Sequence, residues 1–301
     1  MTKYESLPER YSNIISEEQY IRILEIAQDY LIQFGEVTSV SDGLIDFSQG
    51  GDSTSRFGLD NLIRTLAGKD PQEWKEDIED HFSRILSQVE ENYDVDNFEA
   101  IKDILGIRVY SDSYFDGMDL SHELICRIDL EDTKSYLVFD YPDKFQLVYK
   151  ENFANWGITE EEVFKIALEH ASKYEVEIRK YEFETFNQFS FFSSTHSVSY
   201  ILDFEQNASM CIGKAGSIVN IPTQGSAFAI PIDGPNVKEM IEEIGETIVK
   251  FFDEDPGNIT TNYYWYYDGK FTKFSSIKSD DGFKVVDYPT ELESLIRTLF
   301  S

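Results

Sequence analysis

Ser217-Ile218-Val219-Asn220-Ile221 and Ala227-Phe228-Ala229-Ile230-Pro231-Ile232 read as two paired strands. A helical stretch follows from Asn236 to Phe252, and then a strand from Ile259 to Tyr267. The order is β-β-α-β. The same order is legible near 136–183, where strands at Tyr136–Tyr141 and Phe145–Tyr149 precede a helix with Val163, Phe164, Ile166, Ala167 and Ala171 inside. That helix opens on Thr159 and Glu162, the spacing of a capping box. Alternation over Tyr174–Phe183 then puts Val176 and Ile178, and after a slip in parity Tyr181 and Phe183, on the inward face, with a bulge between the pairs. No residue-level identity joins the two ββαβ units, 136–183 and 217–267. Further strands are predicted at Ile107–Tyr110, Glu123–Leu130 and Phe271–Phe274, the last turned by Asp268-Gly269, and a helix closes the chain over Leu292–Phe300. Strands in adjacent pairs favour an α+β fold, a mostly antiparallel sheet with packed helices, over a doubly wound parallel sheet.

Outward from that core, the N-terminal third is helical. Ser16 and Gln19 form a capping box, and Tyr20, Ile23, Leu24, Ala27, Tyr30, Leu31 and Phe34 recur at helical spacing until Gly35. A hairpin joins Val37–Val40 to Leu44–Phe47 across Ser41-Asp42-Gly43. A short helix carries Leu59, Leu62, Ile63 and Leu66. Pro71 opens a longer one, whose Trp74, Ile78, Phe82, Ile85, Leu86 and Val89 make one buried stripe. This divides the chain into a helical part with one β-hairpin, 1–105, and a sheet part, 106–301, unless the two form one continuous domain.

The chain has 301 residues, 41% apolar and 15% aromatic, enough for a core and against global disorder. Its 57 acids against 26 bases leave a net charge of −31. Such a molecule repels phosphate backbones and anionic lipid heads, which argues against direct nucleic-acid or membrane binding. A basic partner would instead be steered to it in a salt-dependent way. The first eight residues lack the apolar stretch of a signal peptide, and no run approaches the about 18 apolar residues of a membrane span. Cys126 and Cys211 form no metal or disulfide framework, so the expected setting is a reduced, cytoplasmic one.

The sequence does not name a reaction. His81, His122, His170 and His196 stand in no recognised metal motif. Ser48-Gln49-Gly50-Gly51-Asp52-Ser53-Thr54 follows a strand and precedes a helix, the setting in which backbone N–H groups cradle phosphate. It is similar to the Ser-Gly-Gly-x-Asp-Ser loop of ATP pyrophosphatases, but lacks the residue between the second Gly and the Asp. Gly213-Lys214-Ala215-Gly216-Ser217 does not match a P-loop, and there is no Gly-x-Ser-x-Gly elbow. No cofactor and no catalytic residue is implied.

Two features point instead to a binding surface. Between Asp70 and Asp103 there are 12 acids and 3 bases, a net of −9 in 34 residues. Glu73, Glu76, Asp77, Asp80, Asp94 and Asp96 are the candidate contacts for a basic partner. The second feature is Asn262-Tyr263-Tyr264-Trp265-Tyr266-Tyr267. Alternation places Tyr264 and Tyr266 opposite Tyr263, Trp265 and Tyr267, so one set is core and the other is available as interface anchors, with Tyr264 and Tyr266 the candidates.

Trp156-Gly157-Ile158-Thr159-Glu160-Glu161-Glu162-Val163-Phe164, running on through Ala167-Leu168-Glu169, resembles the loop and capped helix of the YtpQ-like family of bacterial proteins of unknown function. Leu59-Asp60-Asn61-Leu62, Leu105-Gly106-Ile107-Arg108, Tyr200-Ile201-Leu202-Asp203 and Ile218–Pro222 fit as well. The resemblance implies one α+β unit over most of the chain and no activity or site residue. The reading is therefore a non-enzymatic acidic protein that neutralises a basic protein partner, most concretely an immunity protein or inhibitor of a nuclease-type toxin. The alternatives are a nucleotide- or Mg-dependent enzyme or small-ligand binder using the Gly/Ser loop 49–56, and a structural subunit of a larger assembly.

Overall fold

The computed structural model describes residues 6–50, 55–87, 93–115, 123–142, 144–274, 276–279, 282–285 and 289–300. The chain falls into two compact units, Met1–Asn92 with Asp253–Gly257, and Tyr93–Phe252 with Asn258–Ser301. The boundary lies at 92/93 rather than at the expected 105/106. The reason is apolar: Ile101 and Leu105 are buried in the core of the second unit.

The first unit runs α1 (Glu17–Leu31), β1 (Glu36–Ser41), β2 (Leu44–Ser48), β3 (Ser55–Gly58), α2 (Asp60–Leu66) and α3 (Trp74–Ser87). The Ser16 hydroxyl accepts from the Gln19 amide at 3.2 Å and the Gln19 side chain accepts from Ser16 N at 2.8 Å, so the expected capping box is formed. Helix α1 ends at Leu31, leaving Phe34 exposed. Gly35 has another task. A Cβ there would stand 2.2 Å from the Ser48 carbonyl oxygen, so only glycine lets the chain pass the end of β2. Asp42 and Gly43, with φ of 46° and 72°, make the tight turn of the β1–β2 hairpin. The expected polar stretch 49–56 leads into a third strand, because Asp46 on β2 receives two hydrogen bonds from Arg56 on β3, at 2.6 and 3.1 Å. Pro71 lies in a turn, and α3 begins at Trp74. Trp74, Ile78 and Phe82 pack on Ile23, Leu24 and Ala27 of α1 and on Phe47 and Phe57 of the sheet in one apolar cluster.

The second unit continues with α4 (Phe98–Ile101), β4 (Leu105–Ser111), β5 (Cys126–Arg127), β6 (Thr133–Asp140), β7 (Phe145–Leu147), α5 (Lys150–Phe153), α6 (Glu160–Ala171), β8 (Glu177–Glu182), β9 (Asn187–Phe192), α7 (Ser197–Ile201) and α8 (Phe204–Asn207). After these come β10 (Ser217–Thr223), β11 (Ser226–Pro231), α9 (Val237–Glu254), β12 (Tyr263–Tyr267), β13 (Lys270–Phe274), β14 (Ser276–Ser279), β15 (Gly282–Val285) and α10 (Thr290–Phe300). All pairings among the described residues are antiparallel, in an α+β fold.

A six-stranded sheet, β13-β12-β10-β11-β9-β8, forms the middle layer. One face packs against α9 through Ile218, Ile230, Trp265, Met240 and Ile244. The other packs against α6, α7 and the β4-β6-β5 sheet through Val219, Ala229, Tyr266, Phe164 and Leu137. Residues 217–267 do form one ββαβ unit, since β12 pairs with β10. Residues 136–183 do not. Strands β6 and β7 pair in the smaller sheet, whereas β8 crosses to the larger one and pairs with β9. Nor do Tyr181 and Phe183 point inward. They are 43% and 37% exposed, because β8 is an edge strand.

Strand β4 is also an edge strand, and its outward carbonyls are all taken. Leu105 O accepts from His170 Nδ1 at 2.9 Å, Ile107 O from the Ser199 hydroxyl at 2.6 Å, and Val109 O from the Gln224 amide. Three side chains, from α6, α7 and the β10–β11 turn, thus replace a missing strand. This fixes the His170 tautomer, since only Nδ1–H can donate to a carbonyl.

Candidate functional site

Helix α3 is held by its apolar stripe, so its opposite face is set in orientation. Exposed there are Glu73, in the turn before the helix, Glu76 and Asp80. They follow one another at intervals of three and four, which aligns them along one side of the helix. None has an ion pair among the described residues. The neighbouring acids are neutralised locally: Asp77 by Lys69 at 2.9 Å and Glu79 by Lys75 at 3.8 Å. A shallow depression beside the helix is lined by Glu73, Glu76, Asp77 and Glu79 together with Lys69 and Lys75. Its rim suits a cationic side chain better than an anion.

The rest of the predicted acidic stretch does not belong to this face. Asp94 and Asp96 lie in the second unit. Both are exposed, but the Asp96 carboxylate accepts from Asn152 Nδ2 and Asn155 Nδ2, both at 3.2 Å, and so helps to hold the end of α5. The sequence runs these acids together because their neighbours in the chain are acidic, yet the unit boundary cuts between them.

Tyr264 and Tyr266 are not exposed anchors. They are 0% and 4% exposed and belong to the core shared with α6 and α8, while Tyr263 and Trp265 belong to the core under α9. Strand β12 lies between β13 and β10 in a sheet covered on both faces, so both parity sets are buried. The signal was present in the sequence: an unbroken aromatic run without polar alternation marks a strand covered on both sides. Within this strand only Tyr267, at 39%, reaches solvent.

The setting expected for a phosphate cradle is replaced as well. Ser48-Gln49-Gly50 leads to another strand, not to a helix, and α2 starts at the acidic Asp60. Gly51-Asp52-Ser53-Thr54 lies outside the described residues, as does His122. Among the described residues no group of three His, Cys, Asp or Glu side chains has the arrangement of a metal site.

One polar cluster escaped the sequence reading. Arg108 on β4 is 5% exposed, donates through Nη1 to Thr195 O, lies 3.7 Å from Asp140 on β6 and sits over the Phe145 ring. The Tyr174 hydroxyl donates to Asp140 Oδ2, and the His196 ring stacks on Tyr174 at 3.9 Å. Burial, reinforced by the Arg108 charge, pushes the His196 pKa down to about 4, so the ring is neutral at pH 7. Burial first, and then the Asp140 charge, raises the Tyr174 pKa. Strand β4 passes close beneath the cluster at Gly106, where a Cβ would stand 2.8 Å from Tyr174 Oη and 3.1 Å from Asp140 Cβ. The cluster fastens the 193–197 loop to the β4–β6 pair. Arg108 and its acceptor Thr195 are 87 positions apart, and no local motif announces the cluster.

Comparison with protein-family models, with curated proteins and with solved structures finds no match.

Proposed function

We propose that this chain is a non-enzymatic binding protein that neutralises a basic protein partner, with an inhibitor or immunity protein of a nuclease-type toxin as its most concrete form. The observation that supports it is the Glu73–Glu76–Asp80 stripe, three exposed carboxylates without an ion pair among the described residues, on a helix face held by the packing of Trp74, Ile78 and Phe82. Helical residues three or four apart hold their side chains about 5–6 Å from one another, so a partner's Lys or Arg side chains can each meet one carboxylate. The surrounding charge favours the encounter. The first unit carries 22 acids and 8 bases in 97 residues, the second 35 and 18 in 204, so negative charge per residue is greater on the unit that bears the stripe. Long-range attraction of this kind raises the association rate and weakens with salt. The same charge opposes direct contact with a nucleic-acid backbone.

The test is capture from the source cell with the chain as bait, at low and at high salt. A basic protein should be retained at low salt and released at high salt, and the triple variant Glu73→Lys/Glu76→Lys/Asp80→Lys should not retain it. Retention that ignores salt, or that survives the triple variant, would refute the reading.

A further inference from the structure

Two edge strands of the second unit are finished in opposite ways. On β4 the outward carbonyls of Leu105, Ile107 and Val109 each receive a side-chain donor, whereas among the described residues β8 pairs only with β9 and has five of its six residues exposed. The amide of Phe183 donates to Phe186 O across the hairpin, so the odd-numbered residues of β8 face β9. The backbone groups of Ile178, Lys180 and Glu182 therefore point to the open edge. Beside them stand two large exposed aromatics, Tyr181 and Phe183, the latter stacked on Phe186 at 4.5 Å.

Charges on an edge strand ordinarily block pairing with another chain. On β8 they form a self-complementary pattern. Arg179 is bound to Glu177 and Lys180 to Glu182, so this segment is neutral in a molecule of net charge −31. A second copy added antiparallel across a two-fold axis must match even residues with even residues. Centred on Lys180 or Glu182, such a pairing opposes like charges, and centred on Arg179 it opposes two guanidiniums; centred on Ile178 it opposes Glu177 to Arg179, twice, but sets Lys180 against Val176 and leaves Glu182 beyond the paired strand. Centred on Tyr181 it opposes Lys180 to Glu182 of the second copy, twice, and Arg179 to the Phe183 ring, twice, with the two Tyr181 rings at the axis. Opposite charges and cation–aromatic pairs placed across two strands are the favourable combinations.

We propose that β8 is a self-association edge, on which a second copy of this chain adds in antiparallel register about Tyr181. The surface is distinct from the acidic stripe of α3 and does not depend on the function proposed for it. Salt separates the two: screening the repulsion between two chains of charge −31 strengthens the dimer, whereas salt weakens attachment of a basic partner.

The experiment is sedimentation or native mass measurement of the full chain across concentration and salt. A species of twice the 34.9 kDa chain is expected, growing with salt. Lys180→Glu and Glu182→Lys each place like charges opposite one another and should each reduce dimer at least several-fold. The double variant Lys180→Glu/Glu182→Lys restores opposite pairs and should recover it. Independently, Tyr181→Cys in a Cys126→Ser background should cross-link rapidly under mild oxidation, because the two residues at the axis form a close pair. A chain that stays monomeric throughout, a double variant no better than either single one, or a Tyr181→Cys variant that cross-links no faster than Ser294→Cys on α10 would overturn the proposal.

Discussion

Ser199→Ala isolates the energetics of the capped β4 edge. Ser199 is buried, and its hydroxyl is the donor to Ile107 O at 2.6 Å. Alanine keeps the backbone and nearly the volume, but leaves that carbonyl facing apolar side chains. A buried acceptor stripped of its donor costs about 1–3 kcal/mol. A unit of 204 residues loses about 2–4 °C in Tm per kcal/mol, so Tm should fall by several degrees. Gln224→Met should cost less, although it also removes a donor, to Val109 O. The Gln224 Oε1 atom is buried without a partner, so methionine removes an unsatisfied acceptor at the same time. Ser294→Ala, on the exposed side of α10, is the control and should change stability by less than about 0.5 kcal/mol. Urea unfolding of the three variants, with equal m-values, gives the order directly. If Ser199→Ala unfolds within about 0.5 kcal/mol of the parent, or costs less than Gln224→Met, edge capping by side chains does not stabilise this sheet.

Other outcomes follow from the same geometry. Burial, with Arg84 as a second cause, holds the His81 pKa down at about 4, whereas an unfolded histidine titrates near 6.5. The stability it contributes is complete above pH 6.5 and lost as pH falls to about 4, up to about 3 kcal/mol in all, and His81→Gln should flatten that limb of a pH–stability profile. Gly43→Ala should destabilise the first unit by about 1–3 kcal/mol in thermal unfolding, since φ is 72° and the new methyl would stand 2.3 Å from Tyr11 Oη. Tyr264→Phe, which deletes the hydroxyl bound to Glu131 O at 2.9 Å, should lower Tm by a few degrees while leaving partner capture unchanged.

The legible parts of this chain were those written locally. Ser16 with Gln19 and Thr159 with Glu162 close their capping boxes as their spacing requires. Asp42-Gly43 and Asp268-Gly269 turn with positive φ, because Asp and Gly tolerate that region. The stripe of α3 and the exposed carboxylates opposite it were visible for the same reason, since helical periodicity assigns faces without reference to any other element.

What sequence alone determined, then, is most of the longer helices and the hairpins, the antiparallel character of the strands and the surplus of carboxylates; β3 and β9 were not among them. Tertiary structure decided which elements meet. Tyr264 and Tyr266 are core because a second layer covers their face, Asp96 is spent on two asparagines more than fifty positions away, and Arg108, Asp140, Tyr174 and His196 converge from four separate segments. Periodicity reports which side of an element is apolar. It carries no information about what packs on the other side, and that second contact separates an exposed anchor from a buried one.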